Sequence, residues 1–141
     1  MDKQLRGAFK FTNYLIDNIN FQIIESEVNE ENIPMSVGIN IRTNESFTEA
    51  IVELDFSITY SDNEISYRIN LLINGYFENS GDLSKEEVIK YCKVNGTAIM
   101  FPYVRSAITD ITKIANIPPF ILPTINIHKL IASQEKSYKS K

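Results

Sequence analysis

Apolar residues in the first half of the chain recur at every second position, in four separate stretches. The first stretch begins at Phe9, loses its phase between Asn13 and Asp17, and resumes it from Ile19 to Ile23, as a long strand with a bulge or bend would. The other three alternate regularly, over Val37–Ile41, Ala50–Tyr60 and Ile65–Phe77. Four consecutive strands separated by polar turns or loops predict an antiparallel sheet.

The second half changes to helical spacing, and Ser84 marks the change. Ser84 and Glu87 form a capping box, because the hydroxyl and the carboxylate each satisfy a backbone amide that the first helical turn leaves free. A helix is therefore predicted from this point. We expect it to stop or bend at Asn95–Gly96, where glycine would supply the left-handed cap.

A second, longer helix is predicted after that glycine. Thr97 and Pro102 suit its first turns, where a proline costs no hydrogen bond. Apolar side chains then follow at steps of three and four residues and form a narrow seam, made of Phe101, Val104, Ile108, Ile111 and Ala115. Asn116 ends this helix before two prolines, and a short last helix is predicted from about Asn126.

Strands followed by helices, in a chain of 141 residues, predict one domain of the α+β class that spans residues 1–141. Residues 1–8 and 133–141 are expected to be flexible ends. A hydrophobic content of 43% with 23% charged residues is ordinary for a globular protein, so disorder throughout is excluded.

The net charge of −4 narrows the classes of binding partner that the sequence favours. General binding to nucleic acid or to an anionic membrane needs clustered cations, which this acidic composition does not favour. One cysteine, Cys92, cannot form an internal disulfide, and no run approaches the roughly 20 apolar residues that cross a bilayer. The start of the chain lacks the apolar core of a secretion signal, so a cytoplasmic location is expected.

Residues that commonly carry catalysis are scarce. The chain has one histidine, His128, and one cysteine on different predicted helices, which disfavours a zinc site, and its five glycines fit no phosphate-binding frame. Four glutamates between residues 25 and 31 fall in a polar loop. We interpret them as solvated side chains rather than as a catalytic pair of acid and base. The sequence therefore favours binding over catalysis, with no cofactor and no metal.

The connection between the last two predicted helices is unusually apolar. It lies among Pro118, Pro119 and Pro123, yet it carries Phe120, Ile121, Leu122, Ile125 and Ile127. Two interpretations stay open for each of these side chains. They plug the core beneath a proline-stiffened loop, or they form an accessible wall for a ligand.

Four sequence segments resemble the SecB family of bacterial export chaperones. The long helix begins with IMFPYVRSAITDI (Ile99–Ile111), similar to the family's ILFPYAR, and the connection reads PPFILPTINIHKL (Pro118–Leu130), similar to its P...L.P.N...L pattern. VGINIRT (Val37–Thr43) resembles the family's second strand, and NGYF (Asn74–Phe77) the end of its fourth. The resemblance covers about Phe9–Ile131 and is most specific in the C-terminal third.

The resemblance implies a four-stranded antiparallel sheet with a long helix and a short C-terminal helix on one side. It also implies a homotetramer, a dimer of dimers, whose long helices lie between the sheets. The helical seam would then form the subunit interface, through Val104, Ile108, Ile111 and Ala115. Family members hold unfolded preproteins without ATP in apolar grooves, and the implied groove residues here are Val37, Ile39, Ile41, Phe101, Tyr103, Ile121, Leu122, Ile127 and Ile131.

This sequence departs from the exporting members of that family on the surface that they offer to the SecA motor. Those proteins present carboxylates there, and the matched positions here are the uncharged Asn18, Gln22 and Asn70. Partnership with SecA is therefore an open question, because neutral amides lose charge-assisted bonds. The charged segment from Glu78 to Cys92 also resembles SecB-like chaperones that serve toxin-antitoxin modules, whose client is an antitoxin.

The leading hypothesis is an ATP-independent holdase that binds non-native polypeptides and keeps them unfolded for export by the Sec pathway. An alternative is a SecB-like chaperone dedicated to one client, such as an antitoxin, without SecA. A small-ligand binding protein would need a closed pocket with convergent polar groups, which the sequence does not offer. A structural oligomerisation domain is the remaining alternative.

Overall fold

Four antiparallel strands form one sheet in the computed structural model, which describes residues 9–25, 35–80, 83–126 and 128–132. The predicted flexible ends and Ile127 lie outside these residues. The strands stand in the order β1-β4-β3-β2, so β1 and β2 form opposite edges. Their bounds are β1 Phe9–Ile23, β2 Met35–Thr43, β3 Glu49–Ser61 and β4 Ser66–Asn79. The predicted α+β class and antiparallel sheet are confirmed.

Strand β1 contains two bulges where the sequence pattern loses its phase. Its pairing with β4 shifts between Phe11 and Asn13 and again between Ile16 and Asn18, so one extra residue is inserted at each place. Except for Leu15, which lies on the opposite face, the insertions keep the apolar and aromatic side chains of the strand on one face despite their irregular spacing: Phe9, Phe11, Tyr14, Ile16, Ile19, Phe21 and Ile23.

One face of the sheet, called here the helix side, forms the core. Alternate residues of β3 and β4 point to it with almost no exposed surface, from Val52 to Ile58 and from Tyr67 to Ile73. Each such side chain contributes about 1.5–3 kcal/mol when it leaves water. The opposite face, called the outer face, carries the intervening polar residues such as Glu53, Asp55 and Asn70.

A nearly continuous helical segment covers the helix side. Helix α1 (Lys85–Tyr91) begins with the predicted capping box, in which Glu87 N–H donates to Ser84 Oγ at 3.2 Å and Ser84 N–H donates to Glu87 Oε1 at 2.8 Å. A π-helical turn (Cys92–Gly96) then leads directly into α2 (Thr97–Ile114). Pro102, expected in the first turns, therefore lies inside this segment, on its exposed side.

The prediction that the helix stops at Gly96 with a left-handed cap is wrong. Gly96 has φ −62°, and the Thr97 N–H donates to the carbonyl of Cys92, which continues the helix through a wider turn. A Cβ at Gly96 would lie 3.0 Å from Cγ2 of Val52, which is tighter than an ordinary van der Waals contact, so close packing on the sheet favours glycine here. Similarly, a Cβ at Gly75 would overlap the sulfur of Met100.

Helix α2 ends as predicted at Asn116. That residue adopts φ 65°, its N–H donates to Lys113 O, and the Ile117 N–H donates to Thr112 O, which is the pattern of a Schellman cap. Residues 115–126 form the connection, and residues 128–132 form the short last helix, α3. Asn126 caps α3, because its side-chain oxygen accepts from Lys129 N–H at 3.0 Å.

Candidate functional site

The connection runs back along α2 and is tied to it by side chains of the helix. Thr109 Oγ1 donates to the carbonyl of Phe120 at 2.8 Å, and the Phe120 N–H donates to Thr112 Oγ1 at 3.0 Å. Arg105 Nε donates to the carbonyl of Leu122 at 3.1 Å. These three bonds hold an extended, proline-containing segment in one conformation although it has no regular structure of its own.

Consecutive residues of the connection differ sharply in exposure. Leu122 is 2% exposed and belongs to the core, whereas its neighbour Ile121 is 72% exposed. Phe120 and Ile125 are half-buried, and Phe120 packs edge-on against Tyr60 at a ring distance of 5.9 Å. The two interpretations left open by the sequence therefore apply to different residues. Leu122 plugs the core, and Ile121 offers apolar surface to solvent.

The sheet residues assigned to the groove divide in the same way. Val37 is 6% exposed and lies in the core, while Ile39 and Ile41 on the same face of the edge strand β2 are half-buried. Phe101 of α2 is 7% exposed and packs edge-on against Phe56 of β3, with ring centroids 6.4 Å apart. A partly open apolar strip therefore remains along β2.

Tyr103 lies on a different side of α2 from the connection. Its ring stacks on Tyr14 of β1 at 4.3 Å and lies 5.8 Å from the ring of Phe11. Of the α3 positions, Ile131 is 9% exposed, and Ile127 is outside the described residues. The structure thus brings together Val37, Phe101 and Leu122 in one core, and Tyr103 packs against the same core from the side of β1.

Three of the four residues in the predicted interface seam are buried within a single chain. Val104 and Ile108 have 0% exposure and Ile111 has 9%, and all three belong to the chain's own core. Side chains with no accessible surface have none left to bury against another subunit. Ala115, at the end of α2, is half-buried. Periodicity identified an apolar stripe correctly, but that stripe packs on the sheet of the same protomer.

Exposed apolar residues that the sequence did not single out lie on β1 and at the end of α2. Ile16, Ile19 and Ile23, called here the β1 ridge, are 36%, 50% and 57% exposed. They point to the helix side, because they pair with Ile73, Leu71 and Tyr67, which are buried there. Ile114 of α2 is 85% exposed. The exposure of these side chains depends on how far the helices extend over the sheet. The spacing of apolar residues in the sequence does not predict that extent.

The three positions matched to the SecA-facing surface share the outer face. Asn18, Gln22 and Asn70 lie on β1 and β4, and the first two are exposed. Asn70 pairs across the strands with Asn20 and donates a hydrogen bond from its side chain to Ser57 Oγ. This face therefore offers neutral amides at these positions.

Four ionisable groups among the described residues have shifted pKa values. One of them, Tyr60, packs against Phe120 of the connection, and its pKa is raised mainly by the hydrogen bond that it donates to Asp62. Burial raises the pKa of Tyr67 and of the Cys92 thiol to about 12 in each case. The pKa of Asp62 is lowered, because the backbone N–H groups of Ile65 and Glu64 donate to its carboxylate. These shifts arise from burial and from a turn, so none of them indicates a general acid or base beside the connection.

A solvent-open cavity of about 570 Å³ lies elsewhere, at the end of the sheet near the turn between β2 and β3, and its lining includes Thr12, Arg42, Glu49 and Tyr76. Across the described residues, no three His, Cys, Asp or Glu side chains come together as a metal site. Within the same residues, no helix is both long and apolar enough to cross a membrane.

An antiparallel sheet covered on one side by a long helix, with a partly exposed apolar connection, is the fold of a SecB-like chaperone. The structure superposes on the SecB-like chaperone of Mycobacterium tuberculosis, solved with a ChAD peptide from the HigA1 antitoxin, with a TM-score of 0.72, covering 88% of this chain and 95% of that chain at 12% identity. The family model described as preprotein translocase subunit SecB matches residues 16–138. The chain therefore belongs to the SecB family.

Two relatives are similar to the chain over most of its length. An uncharacterized protein of Methanocaldococcus jannaschii is 32% identical over 96% of this chain and 90% of its own length. The protein-export protein SecB of Wolbachia pipientis is 26% identical over 87% of this chain and 72% of its own length. The family and the fold together support a chaperone role, and the predicted resemblance is confirmed.

Proposed function

We propose that this protein is an ATP-independent holdase that binds extended apolar segments of non-native polypeptides in a furrow between the connection and strand β2. The observation that carries the proposal is Ile121, which is 72% exposed on a segment that hydrogen bonds hold in place. An exposed apolar side chain on a fixed segment gives a client a preformed apolar contact. We propose that the half-buried Ile39 and Ile41 on β2 supply the facing wall.

The expected affinity of one such furrow is low. Each client side chain buried there contributes about 1.5–3 kcal/mol before the cost of ordering the chain. A long unfolded client gains from several furrows on one oligomer, because the second contact becomes intramolecular. This favours a homo-oligomer, and we propose the dimer of dimers implied by the family resemblance, acting in the cytoplasm.

The surfaces that the structure leaves open for such an oligomer differ from the predicted seam. The β1 ridge and Ile114 present apolar side chains with 36–85% exposure, and β1 is an edge strand. We propose that a second copy of the chain covers them. This proposal replaces Val104, Ile108 and Ile111, which have at most 9% exposure.

The outer face bears on the choice between the two client classes. Export through SecA requires a contact that the exporting family members make with carboxylates, whereas Asn18, Gln22 and Asn70 are neutral. The M. tuberculosis chaperone of the same fold was solved with an antitoxin peptide. Both observations favour a client held without SecA, such as an antitoxin, over preprotein export.

The holdase proposal is tested by aggregation of a chemically denatured client after dilution, followed by light scattering at increasing ratios of chaperone. We expect the wild-type chain to suppress scattering near stoichiometric amounts and Ile121→Asp to lose most of that effect. Leu15→Asp is the matched control, because Leu15 is 56% exposed on the outer face. Val37 is unsuitable as a probe, since it is 6% exposed and a charge there would disrupt the core.

If the wild-type protein leaves the light scattering of the aggregating client unchanged, the holdase proposal is contradicted. Equal suppression by Ile121→Asp and wild type, with unchanged melting temperatures, would place the client elsewhere on the molecule. Adding ATP at a saturating concentration is expected to leave the suppression of scattering unchanged.

A further inference from the structure

The rings of Tyr60 and Phe120 join the sheet to the connection. Tyr60 is the last residue of β3 on the helix side, and the ring of Phe120 meets it edge-on with centroids 5.9 Å apart. Tyr60 also stacks at 5.1 Å on Tyr67, its direct partner on β4. Both Tyr60 and Phe120 are half-buried. The sheet therefore contacts the connection at the same residue whose backbone is bonded to α2.

The hydroxyl of Tyr60 is fixed by Asp62, in the turn between β3 and β4. It donates to Oδ2 of Asp62 at 2.9 Å. The other carboxylate oxygen, Oδ1, accepts from the backbone N–H groups of Ile65 and Glu64, each at 2.8 Å. The Asp62 N–H donates to the carbonyl of Ile65 at 2.9 Å. Three bonds of the turn therefore orient Asp62 independently of Tyr60, and its carboxylate is a preformed acceptor for the hydroxyl.

The orientation of Phe120 bears on the exposed residue beside it. Its backbone bonds to α2 fix where the connection runs, and its ring contact with Tyr60 fixes which way this part of the connection faces. Ile121 follows directly and is 72% exposed, whereas Leu122 is 2% exposed. A change in the orientation of Tyr60 would therefore reach the residue that offers apolar surface to solvent.

We propose that Asp62 is a positioning residue for client binding. It orients the ring of Tyr60, which packs on Phe120 and so helps to present the neighbouring Ile121 to a client. This inference rests on the proposed holdase function and adds to it a residue that contacts no client itself. A binding segment that is fixed in advance does not have to be ordered by the client, so less of the binding free energy is lost.

The test is a double-mutant cycle on client affinity, measured with the full-length protein by fluorescence anisotropy of a labelled peptide with alternating apolar residues. Tyr60→Phe removes the hydroxyl and leaves the ring and the turn in place. We expect it to weaken peptide binding about three- to tenfold, as the loss of one hydrogen bond allows. Asp62→Ala should weaken binding to a similar extent in the wild-type chain and no further in the Tyr60→Phe chain.

A matched control removes a different tyrosine hydroxyl. Tyr14→Phe alters a ring that stacks on Tyr103, on a different side of α2 from the connection, and should leave peptide affinity unchanged. Melting temperatures are measured for every variant. Asp62→Ala is expected to lower the melting temperature more than Tyr60→Phe does, because it also removes the acceptor of the turn. A residue that served the turn alone would change the melting temperature and leave peptide affinity unaltered.

Amide hydrogen exchange followed by NMR locates the effect within the chain. The Phe120 N–H is expected to exchange faster in Tyr60→Phe than in wild type, because the connection opens more often when its contact with the sheet is weaker. The amide of Leu54, in the core of the sheet, should exchange at the wild-type rate. Unchanged exchange at Phe120 would contradict the positioning role.

The outcomes separate the two proposals. If the wild-type chain binds no peptide, the holdase function fails, and the positioning role fails with it. If Tyr60→Phe binds the peptide as tightly as wild type does, the holdase stands and this inference is overturned. A further loss of affinity when Asp62→Ala is added to Tyr60→Phe would overturn it as well, and so would equal losses in Tyr60→Phe and Tyr14→Phe.

Discussion

The hydroxyl of Thr112 accepts a hydrogen bond from the backbone N–H of Phe120 at 3.0 Å while it donates one to the carbonyl of Thr109 at 2.8 Å. Thr112 has 0% exposure, so both bonds are made away from water. This one side chain joins the last turns of α2 to the apolar connection. Together with Arg105 and Thr109, it therefore orients the connection, so that some of its residues face the core and others face solvent.

Thr112→Val is expected to destabilise the protein by about 1–3 kcal/mol, because valine keeps the shape and leaves the Phe120 N–H without a partner. The measurement is urea denaturation followed by circular dichroism. Thr124→Val, on the exposed part of the same connection, is the control and should change stability by less than about 0.5 kcal/mol. Equal values for the two variants would contradict this account of the connection.

Gly75→Ala is expected to destabilise the protein by about 1–3 kcal/mol, because the new methyl group would displace the buried Met100 from the sheet. In Gly38→Ala the corresponding Cβ would meet only Asp55, at 3.7 Å, which is ordinary van der Waals contact. That variant should unfold close to the wild-type temperature. Differential scanning calorimetry of both proteins compares the two positions directly.

If a second copy covers the β1 ridge as proposed, Ile19→Asp combined with Ile23→Asp is expected to weaken subunit association about a hundredfold or more, because both substitutions remove an exposed apolar side chain from that contact. Light scattering coupled to size exclusion measures the mass at several protein concentrations. Leu15→Asp changes the outer face of the same strand and should leave the mass unaltered. An unaltered mass in the double variant would exclude the β1 ridge as the subunit interface.

Cys92 is expected to resist thiol reagents in the folded protein. Burial raises its pKa from 9.0 to about 12, which lowers the reactive thiolate fraction at pH 8 about a thousandfold relative to the unfolded chain. Between pH 9 and pH 12 the unfolded thiol ionises first, so the free energy of unfolding should fall as pH rises. Labelling with and without denaturant measures the first effect. Rapid native labelling would show that Cys92 is accessible.

Most of the architecture could be predicted, because its signals are local. Alternation at period two identified all four strands, and the loss of phase between Asn13 and Asp17 corresponds to the bulges beside those residues. The Ser84 capping box and the end of α2 at Asn116 were also predicted correctly, since each depends on a few neighbouring residues. The family resemblance added the placement of the helices on one side.

Gly96 shows where local signals fail. An asparagine and a glycine after a helical stretch are typical of a C-terminal cap, but here the helix continues through a π-helical turn. The side chains that a Cβ at this position would meet are Val52 and Phe77, on strands distant in sequence. Short-range patterns contain no information about which distant side chains will lie against a given position.

The candidate site shows the same limit. Ile121 and Leu122 are adjacent and similarly apolar, yet one is 72% exposed and the other 2%. Likewise, helical spacing defined the stripe of Val104 and Ile108 without saying whether the same chain or another would cover it. Exposure is a property of what packs against a side chain, so hydrophobicity alone does not predict it.

The sequence by itself determined the strands, the helices and their ends, because these follow from the spacing of apolar residues and from hydrogen bonds between near neighbours. Only the tertiary structure decided which apolar side chains remain accessible, on the connection and on β1. The reason is physical: three hydrogen bonds from α2 orient the connection, and close packing at Gly75 and Gly96 positions that helix over the sheet. Both depend on contacts between distant parts of the chain.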